Sequence, residues 1–345
     1  MRTSNRHFTE RRKYHCCTVI LYTMGNIRHP RRGSLQYWPR KRAASSVARI
    51  RSWANEHKVK PLGFIGYKAG MTHLLITDNR PKSPTKGEQV MLASTIIDCP
   101  PMTVMGIAFY TLIPSGWKKT TTILAQKFDK HLDKKIPLPK KTLPTLDSVT
   151  NYDDLRLLVH SHPEHIPGGT KKPKIMEIVL GGNKTEKLQY AKTVLGKEIV
   201  ITDLFESGNQ IDVHGITKGK GFQGTVKRFG VPIRQHKAEK TKRGIGTLGS
   251  WSPKRVEYSV AQSGKMGFHL RTEFNKQILK IGTQGKEVTP SGGIIKYGIV
   301  NNTYLLVKGS VTGPHKRPVL LTPPIRPNPK MHKEAPEITH ISLGN

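Results

Sequence analysis

The amino-acid sequence predicts a mainly β protein that carries an α/β insertion and long basic extensions. One observation is a series of short, β-branched-rich apolar segments separated by glycine and proline, which is typical of a barrel or a sandwich. Another is the formal net charge of +35 on 345 residues, from 58 Lys+Arg against 23 Asp+Glu. The hydrophobic content of 35% is too low for a chain that is core throughout. Part of the chain is therefore expected to be extended and to face a polyanion.

The positive charge is concentrated in two flanking regions. Residues 1–60 carry a net charge of +13, residues 61–213 only +5, and residues 214–345 carry +17. Nucleic acid is the favoured partner, because the release of counterions from phosphates drives the binding of basic surfaces. A membrane surface is the alternative. It usually requires an amphipathic helix or a lipid anchor as well, and neither is evident.

The first flank divides into an extension and an arm. Residues 1–23 contain a short apolar run behind three basic residues, but no small-residue cleavage site follows, as a secretory signal would require. Met24 is a second plausible start, so residues 1–23 are interpreted as an extension of no clear function. Residues 24–60 are predicted to be an extended basic arm, in which Tyr37 and Trp38 can stack on unpaired bases. The alternative is a disordered, solvated tail.

The rest of the chain is predicted from its apolar periodicity. Strands are predicted within residues 63–78 and at 89–97, 105–112, 197–205, 210–215, 296–301 and 304–307. Helices are predicted at 118–132, 152–160 and 185–195, the last with Gly196 as its stop, and a short helix can begin at Asp147 or Ser148. These elements indicate a β-barrel over 61–116 and 197–325, an α/β insertion at 117–196 and a C-terminal tail at 326–345.

A segment rich in glycine and lysine is the densest feature of the sequence. Residues 214–258 contain eight glycines, eleven Lys/Arg and two acids. Glycine lets the backbone approach a neighbouring chain closely, and the cations can contact phosphates. Phe222, Phe229 and Trp251 are predicted to offer stacking or wedge surfaces.

Two enzymatic motifs are imitated in this segment. Residues 219–224 match the dinucleotide fingerprint G-x-G-x-x-G, but the β-branched segment that follows ends in Gly230 and Pro232 and does not favour the helix that the fingerprint requires. Residues 215–221 imitate a phosphate-binding loop that is one residue short and lacks the Ser/Thr for Mg²⁺. Neither nucleotide site is predicted.

Metal and catalytic sites are not predicted elsewhere either. His160, His162 and His165 could form a metal cluster, but a solvent-exposed histidine loop is the favoured interpretation. Three cysteines occur, Cys16, Cys17 and Cys99, without a C-x-x-C pair, so no zinc site or disulfide framework is predicted and a reducing, cytosolic setting fits. No nucleophile and base can be paired from spacing alone. The sequence therefore predicts no enzyme, no cofactor and no bound metal.

An ordered series of motifs over about residues 24–325 resembles the ribosomal protein L3 family, in its archaeal and eukaryotic form. The N-terminal motifs are Pro-Arg-Arg-Gly-Ser-Leu at 30–35 and Pro-Arg-Lys-Arg at 39–42. The later ones lie at 213–230, 234–237, 243–244, 249–256, 267–276, 290–293, 297–298 and 308–317.

The resemblance implies a translation-protein-type β-barrel with extensions that penetrate ribosomal RNA. It also implies a cytoplasmic ribosome component that acts early in large-subunit assembly beside other large-subunit proteins, uL14 among them. A long loop of the family, here about 230–258, approaches the peptidyl transferase centre with a Trp at its tip, which matches Trp251. A barrel-core tryptophan is the alternative at this position. The histidine that some eukaryotic members carry near this loop has no clear match, since Glu239 lies near its place and His236 only close by.

The residues predicted to bind large-subunit ribosomal RNA come from the arm, the glycine-rich segment and the last third of the chain. They are Arg31, Arg32, Arg40, Lys41, Arg42, Lys218, Lys220, Lys227, Arg228, Arg234, His236, Lys237, Lys240, Lys242, Arg243, Trp251, Lys254, Arg255, Arg271, Lys276, Lys316 and Arg317. Two other classes of function remain open: a nucleic-acid-modifying enzyme with basic tails, and a free-standing nucleic-acid-binding regulator. No membrane or small-molecule substrate is expected.

Overall fold

The computed structural model describes residues 31–139, 146, 149, 151–168 and 171–343. The chain divides into two compact units. Unit 1 consists of residues 31–41 and 220–266, and unit 2 consists of the described residues of 42–219 and 267–343. Residues 1–23 and the predicted helix start at Asp147 or Ser148 lie outside the described residues.

Unit 2 contains twelve strands, one α-helix and four short 3-10 helices among its described residues. The strands are β1 (Phe64–Thr77), β2 (Gln89–Asp98), β3 (Met102–Ile113), β4 (Gly116–Leu124), β5 (Asp154–Ser161), β6 (Ile175–Val179), β7 (Glu198–Ile199), β8 (Gln210–Ile216), β11 (Leu270–Gly282), β12 (Tyr304–Lys308), β13 (Pro318–Thr322) and β14 (Glu337–Ile341). The α-helix is α1 (Lys184–Val194), and the 3-10 helices are Leu132–Lys134, Pro163–His165, Ile201–Asp203 and Gly285–Val288.

The larger sheet of unit 2 closes on itself. Its strand order is β13-β8-β11-β12-β2-β1, and β1 also pairs with β13, with Phe64 opposite Leu321. Closure removes the free edges of these six strands. The far half of β1 takes β14 as a further partner, with Leu74 opposite Ile341. The mainly β prediction is confirmed.

A second sheet has the order β4-β3-β5-β6, with β7 paired to β3. The two sheets share a core, because Phe64 and Leu305 of the closed sheet and Phe109 and Leu157 of the second sheet belong to one buried apolar cluster. Ala191 on α1 is buried in the same cluster. β3 and β5 are covered on both faces, because Phe109 and Leu157 belong to this cluster while Ala108 and Leu158 belong to a second one, so both strands are apolar almost throughout.

The helix predicted at 185–195 is confirmed. α1 begins where the carboxylate of Glu186 accepts a hydrogen bond of 3.4 Å from the backbone N–H of Asn183. It ends before Gly196, whose φ of +78° is the left-handed conformation that stops helices. The strands predicted within 63–78 and at 89–97, 105–112, 210–215 and 304–307 are also confirmed.

Four predictions of secondary structure are wrong. The helix predicted at 118–132 is strand β4 as far as Leu124, followed by irregular backbone, a turn and the short 3-10 helix Leu132–Lys134, and the helix predicted at 152–160 is largely strand β5. The strand predicted at 197–205 is limited to β7 and gives way to a 3-10 helix. Residues 296–301 form a turn instead of a strand, because Lys296 and Gly298 have φ of +64° and +113°.

Unit 1 contains a short hairpin-like pair, β9 (Phe222–Gln223) with β10 (Gly264–Lys265), and the helix α2 (Thr225–Phe229). Residues 230–263, all of them described, form neither helix nor strand. The expectation that no helix follows the G-x-G-x-x-G motif is therefore wrong. That helix has only five residues and ends at Gly230, and every strand pair in the described part of the chain is antiparallel, unlike the parallel βαβ unit of a dinucleotide site.

No helix among the described residues combines the length and the apolar character needed to cross a membrane.

Candidate nucleic-acid interface

Unit 1 is held together by aromatic rings and arginines. Trp38 of the arm stacks on Phe229 of α2, with ring centroids 6.0 Å apart, and contacts Tyr258 edge to face at 5.9 Å. The guanidinium of Arg40 lies 4.2 Å from the centroid of Phe229, and that of Arg228 lies 5.1 Å from it. These contacts fix the arm against the glycine-rich segment, since aromatic and cation–π pairs stabilise beyond their buried area.

Four of the predicted RNA-binding arginines donate side-chain hydrogen bonds to backbone carbonyls within unit 1, and one of them, Arg234, belongs to the loop base described below. Arg31 donates to Ser259 at 2.6 Å, and Arg40 donates to Arg228 at 3.2 Å. Arg228 in turn donates to Gln262 at 2.8 Å and to Lys265 at 3.1 Å. Burial lowers the pKa of Arg228 from its ordinary value. These side chains organise the unit as well as carrying charge.

The loop at 230–263 is closed at its base by backbone contacts. The side chain of Arg234 donates to the carbonyl of Ile245, and its backbone N–H donates to Lys242 at 3.0 Å. The hydroxyl of Thr225 on α2 donates to the carbonyl of Arg243 at 3.2 Å. Beyond this base lies Trp251, whose side chain is 86% exposed, so the barrel-core alternative for this residue is excluded.

The predicted RNA-binding residues separate into two groups by exposure. The exposed residues are Arg31, Arg32, Lys41, Arg42, Lys218, Lys220, Lys227, His236, Lys237, Lys240, Lys242, Arg243, Trp251, Lys254 and Arg255. The half-buried residues are Arg40, Arg228, Arg234, Arg271, Lys276, Lys316 and Arg317. Most of the exposed group belongs to unit 1, whose described residues carry 15 Lys/Arg and only two acids.

The half-buried residues of unit 2 have partners inside that unit. Lys276 forms an ion pair of 3.0 Å with Glu273, and Arg271 donates to the carbonyl of Leu270 at 2.8 Å. The guanidinium of Arg317 lies 5.1 Å from the ring centroid of Phe268, and burial lowers the pKa of Arg317. Their charges reach solvent only in part, so they are weaker candidates for phosphate contacts than the exposed group.

The aromatic side chains differ from the prediction. Phe229 is only 6% exposed, so the prediction that it offers a stacking surface is wrong, and Trp38 is likewise engaged within unit 1. Phe222, 72% exposed, remains available. The sequence did not single out Tyr258, which is 76% exposed and contacts Trp38 edge to face. Its neighbour Glu257 obscured the basic–aromatic pattern that could have identified it.

The sequence predicted a solvent-exposed loop for the histidine motif of unit 2. That prediction holds for His165 and is wrong for His160 and His162. His160 lies on β5 and is 1% exposed, and His162 directly after β5 is 6% exposed. Desolvation by burial lowers the pKa of His160, with the nearby His162 as a second cause. Burial within the motif is therefore confined to His160, on an inner strand of the second sheet, and to His162 directly after it.

The comparisons with known proteins agree with the resemblance in the motifs. Residues 24–143 and 144–342 match the sequence model of the family described as Ribosomal protein L3. The chain is 47% identical over 326 residues to the large ribosomal subunit protein uL3 of Methanocaldococcus jannaschii, which covers 92% of this chain and 97% of that protein. It is 44% identical to the proteins of the same name from Methanobrevibacter smithii and Archaeoglobus fulgidus, over 92% and 91% of this chain and 98% and 96% of theirs.

Proposed function

Since the chain belongs to the ribosomal protein L3 family, we propose that it binds large-subunit ribosomal RNA through the exposed basic surface of unit 1. As a member of this family, the chain is a structural constituent of the large ribosomal subunit and not an enzyme. The remaining questions are which surface faces the RNA, what the loop at 230–263 does, and which proteins lie beside it.

One observation carries the proposal: the exposed cations and the exposed aromatics of unit 1 lie on the same segments. Along the chain, the exposed residues from His236 to Arg255 lie on both sides of Trp251, with Phe222 before them and Tyr258 after them. Cations neutralise phosphates, and aromatic faces stack on unpaired bases, so the combination suits folded RNA with splayed nucleotides. A charged surface without aromatics would support only non-specific contact.

Binding of the full chain to a large-subunit RNA transcript tests this assignment. We expect the logarithm of affinity to fall linearly with the logarithm of salt concentration, and each lost phosphate contact to reduce the slope by about 0.7–0.9. The double variant Lys240→Gln/Lys242→Gln should lower the slope. Lys280→Gln, whose lysine pairs with Glu287 at 2.7 Å in unit 2, is the matched control. Equal salt slopes for the two variants would contradict the assignment of Lys240 and Lys242 of unit 1 to the RNA interface.

We further propose that Trp251 is the tip of a loop that props RNA near the peptidyl transferase centre. Its exposure and its position beyond the closed loop base support this role. Cells that depend on Trp251→Ala should show slower peptidyl transfer or delayed subunit assembly, measured on gradient-purified subunits. Trp117→Ala, which removes another exposed Trp from β4, should leave both unchanged. Equal behaviour of the two variants would contradict the role.

Early assembly and contact with neighbouring large-subunit proteins, uL14 among them, complete the proposal. Early action is expected of a protein whose basic surface can bind RNA before other proteins cover it. Pulse-labelled assembly intermediates should contain the chain from the first large-subunit particles, and cross-linking of mature subunits should recover uL14. Late incorporation of the chain would contradict the assembly role. Cross-links only to proteins other than uL14 would contradict the proposal that uL14 is a neighbour.

A further inference from the structure

Histidine and carboxylate side chains converge at the end of β5 in unit 2. His160 is on the strand and His162 follows it, while Asp129 comes from the segment after β4. One ring nitrogen of each histidine and one carboxylate oxygen of Asp129 all lie within 4.8 Å of one another. Glu164, in the 3-10 helix after β5, places Oε1 3.1 Å from Nδ1 of His162. The cluster has no part in the proposed RNA surface of unit 1.

Two polar atoms in this cluster are buried and unsatisfied. Within the described part of the chain, Nδ1 of His160 has no hydrogen-bond partner, although the residue is 99% buried. Oδ2 of Asp129 is also buried without a hydrogen bond, although it lies 3.2 Å from Nδ1 of His162. Leaving such groups unpaired costs about 1–3 kcal/mol each. A ligand that accepts lone pairs from both would remove that cost.

The imidazole of His162, the third proposed ligand, is held in place by a contact on the side away from the carboxylates. Nε2 of His162 lies 2.7 Å from the hydroxyl of Thr103 on β3. A histidine that binds a metal through one nitrogen usually donates the N–H of the other to a fixed acceptor, which sets its tautomer and ring angle. In the tautomer that donates Nε2–H to Thr103, which metal binding through Nδ1 requires, the lone pair of Nδ1 faces the carboxylates of Asp129 and Glu164. Without an ion, the same nitrogen is within hydrogen-bonding distance of Glu164, at 3.1 Å.

We propose that His160, His162, Asp129 and Glu164 form a binding site for a divalent transition-metal ion of the Zn²⁺ type. Zn²⁺ takes nitrogen and carboxylate ligands at about 2.0–2.2 Å, which places neighbouring ligand atoms of a tetrahedron about 3.4 Å apart. The distances of 3.1 and 3.2 Å from His162 to the two carboxylates are close to that value. Two imidazoles disfavour Mg²⁺ and Ca²⁺, which prefer oxygen ligands.

The ion would join three segments of the second sheet. It would fix the segment after β4 to the end of β5 and to the following 3-10 helix, where Nε2 of His131 also lies 3.8 Å from Oε2 of Glu164. The proposed role is structural, since His160 and His162 are buried, although Glu164 is exposed and lines an open cleft together with His165 and Pro167. Binding should therefore stabilise unit 2 without altering RNA affinity.

Metal binding by the purified full chain tests the site. After removal of metals by a chelator, Zn²⁺ is titrated in competition with a chromogenic indicator, and Co²⁺ is used as a spectroscopic probe. We expect one equivalent of Zn²⁺, a rise in melting temperature and the intense visible absorption of four-coordinate Co²⁺. His160→Gln and Asp129→Asn should each weaken Zn²⁺ binding more than about 100-fold. That loss exceeds the loss of about 10–100-fold that is typical when a residue only hydrogen-bonds to a metal ligand.

Two controls separate this site from other metal-binding groups. His73→Gln removes an exposed histidine of β1 and should leave the affinity unchanged. The double variant Cys16→Ser/Cys17→Ser should also bind normally; loss of binding in that variant alone, with a thiolate-to-Co²⁺ band in the native chain, would overturn the proposal. So would the absence of any binding at micromolar Zn²⁺.

Amide hydrogen exchange of the native chain tests the same ligands without any substitution, and so does not depend on whether the ligand variants fold. With the native chain, Zn²⁺ should slow amide exchange within residues 127–134 and 160–166 and leave unit 1 unchanged. Unchanged exchange in those two segments under saturating Zn²⁺ would refute the proposed ligands even if an ion binds elsewhere.

Discussion

Removing the ring of Phe229 should release the arm from the rest of unit 1. The ring is 6% exposed, stacks on Trp38 and lies under the guanidinium of Arg40. A buried Phe→Ala change costs about 3–5 kcal/mol, of which the aromatic pair and the cation–π contact account for about 1 kcal/mol each. A loss of about 4 kcal/mol raises the population of the opened arm on the order of 1,000-fold, since 1.4 kcal/mol corresponds to a factor of ten.

Limited trypsin digestion measures that opening, because the arm itself contains cleavage sites at Arg31, Arg32 and Lys41. When opening is fast relative to cleavage, the digestion rate follows the population of the open form. Phe222→Ala removes the same side chain from a position that is 72% exposed and is the matched control. Equal cleavage rates for Phe229→Ala and Phe222→Ala would refute the reasoning, and would mean that the packing of unit 1 does not form in the free chain.

Three further changes have definite expected results. Trp251→Ala should shift the free energy of unfolding by less than about 0.5 kcal/mol, since the side chain is exposed, and calorimetric unfolding of the variant at a much lower temperature would contradict this. Gly282→Ala should cost about 1–3 kcal/mol in urea unfolding, because a Cβ there overlaps the buried ring of Tyr304; an unchanged midpoint would show that the site is loose. Burial lowers the pKa of His214 from its ordinary 6.5, although Asp212 favours the charged form. The unfolded state then binds a proton that the folded state resists, so stability should fall as the pH drops below about 6.5, and His214→Gln should show a flatter curve.

The helices and strands that could be predicted from the sequence are those with one exposed face, or those followed by a residue that ends the element. α1 was predictable because its charged exterior, its cap and Gly196 agree with one another. The inner strand β5 was not, since its almost continuous apolar run, Leu155 to Val159, fits a buried helix as well as a buried strand. The three consecutive threonines of β4, Thr120 to Thr122, were the signal for a strand, because β-branched side chains favour extended backbone.

The candidate RNA surface was predictable in composition but not in geometry. Lysine and arginine counts identify the segments, and the exposure of Lys240 and Lys242 agrees with them. The same counts cannot separate a solvent-facing cation from Arg228, which folds back onto backbone carbonyls of its own unit. The burial of His160 depends on strand order, which is a property of contacts between distant segments, so local sequence gave no sign of it.

The pairing of β1 with β13 also bears on how the chain is made. Phe64 and Leu321 are partners although roughly 250 residues separate them, so the ring remains open until nearly the whole chain has been synthesised. Contacts between such distant segments slow folding, and an unpaired strand edge can recruit other chains in the meantime. The basic arm emerges before β1, and the early net charge repels neighbouring nascent chains. The same charge that suits an RNA partner would thus also help to keep an incomplete sheet from aggregating during its synthesis.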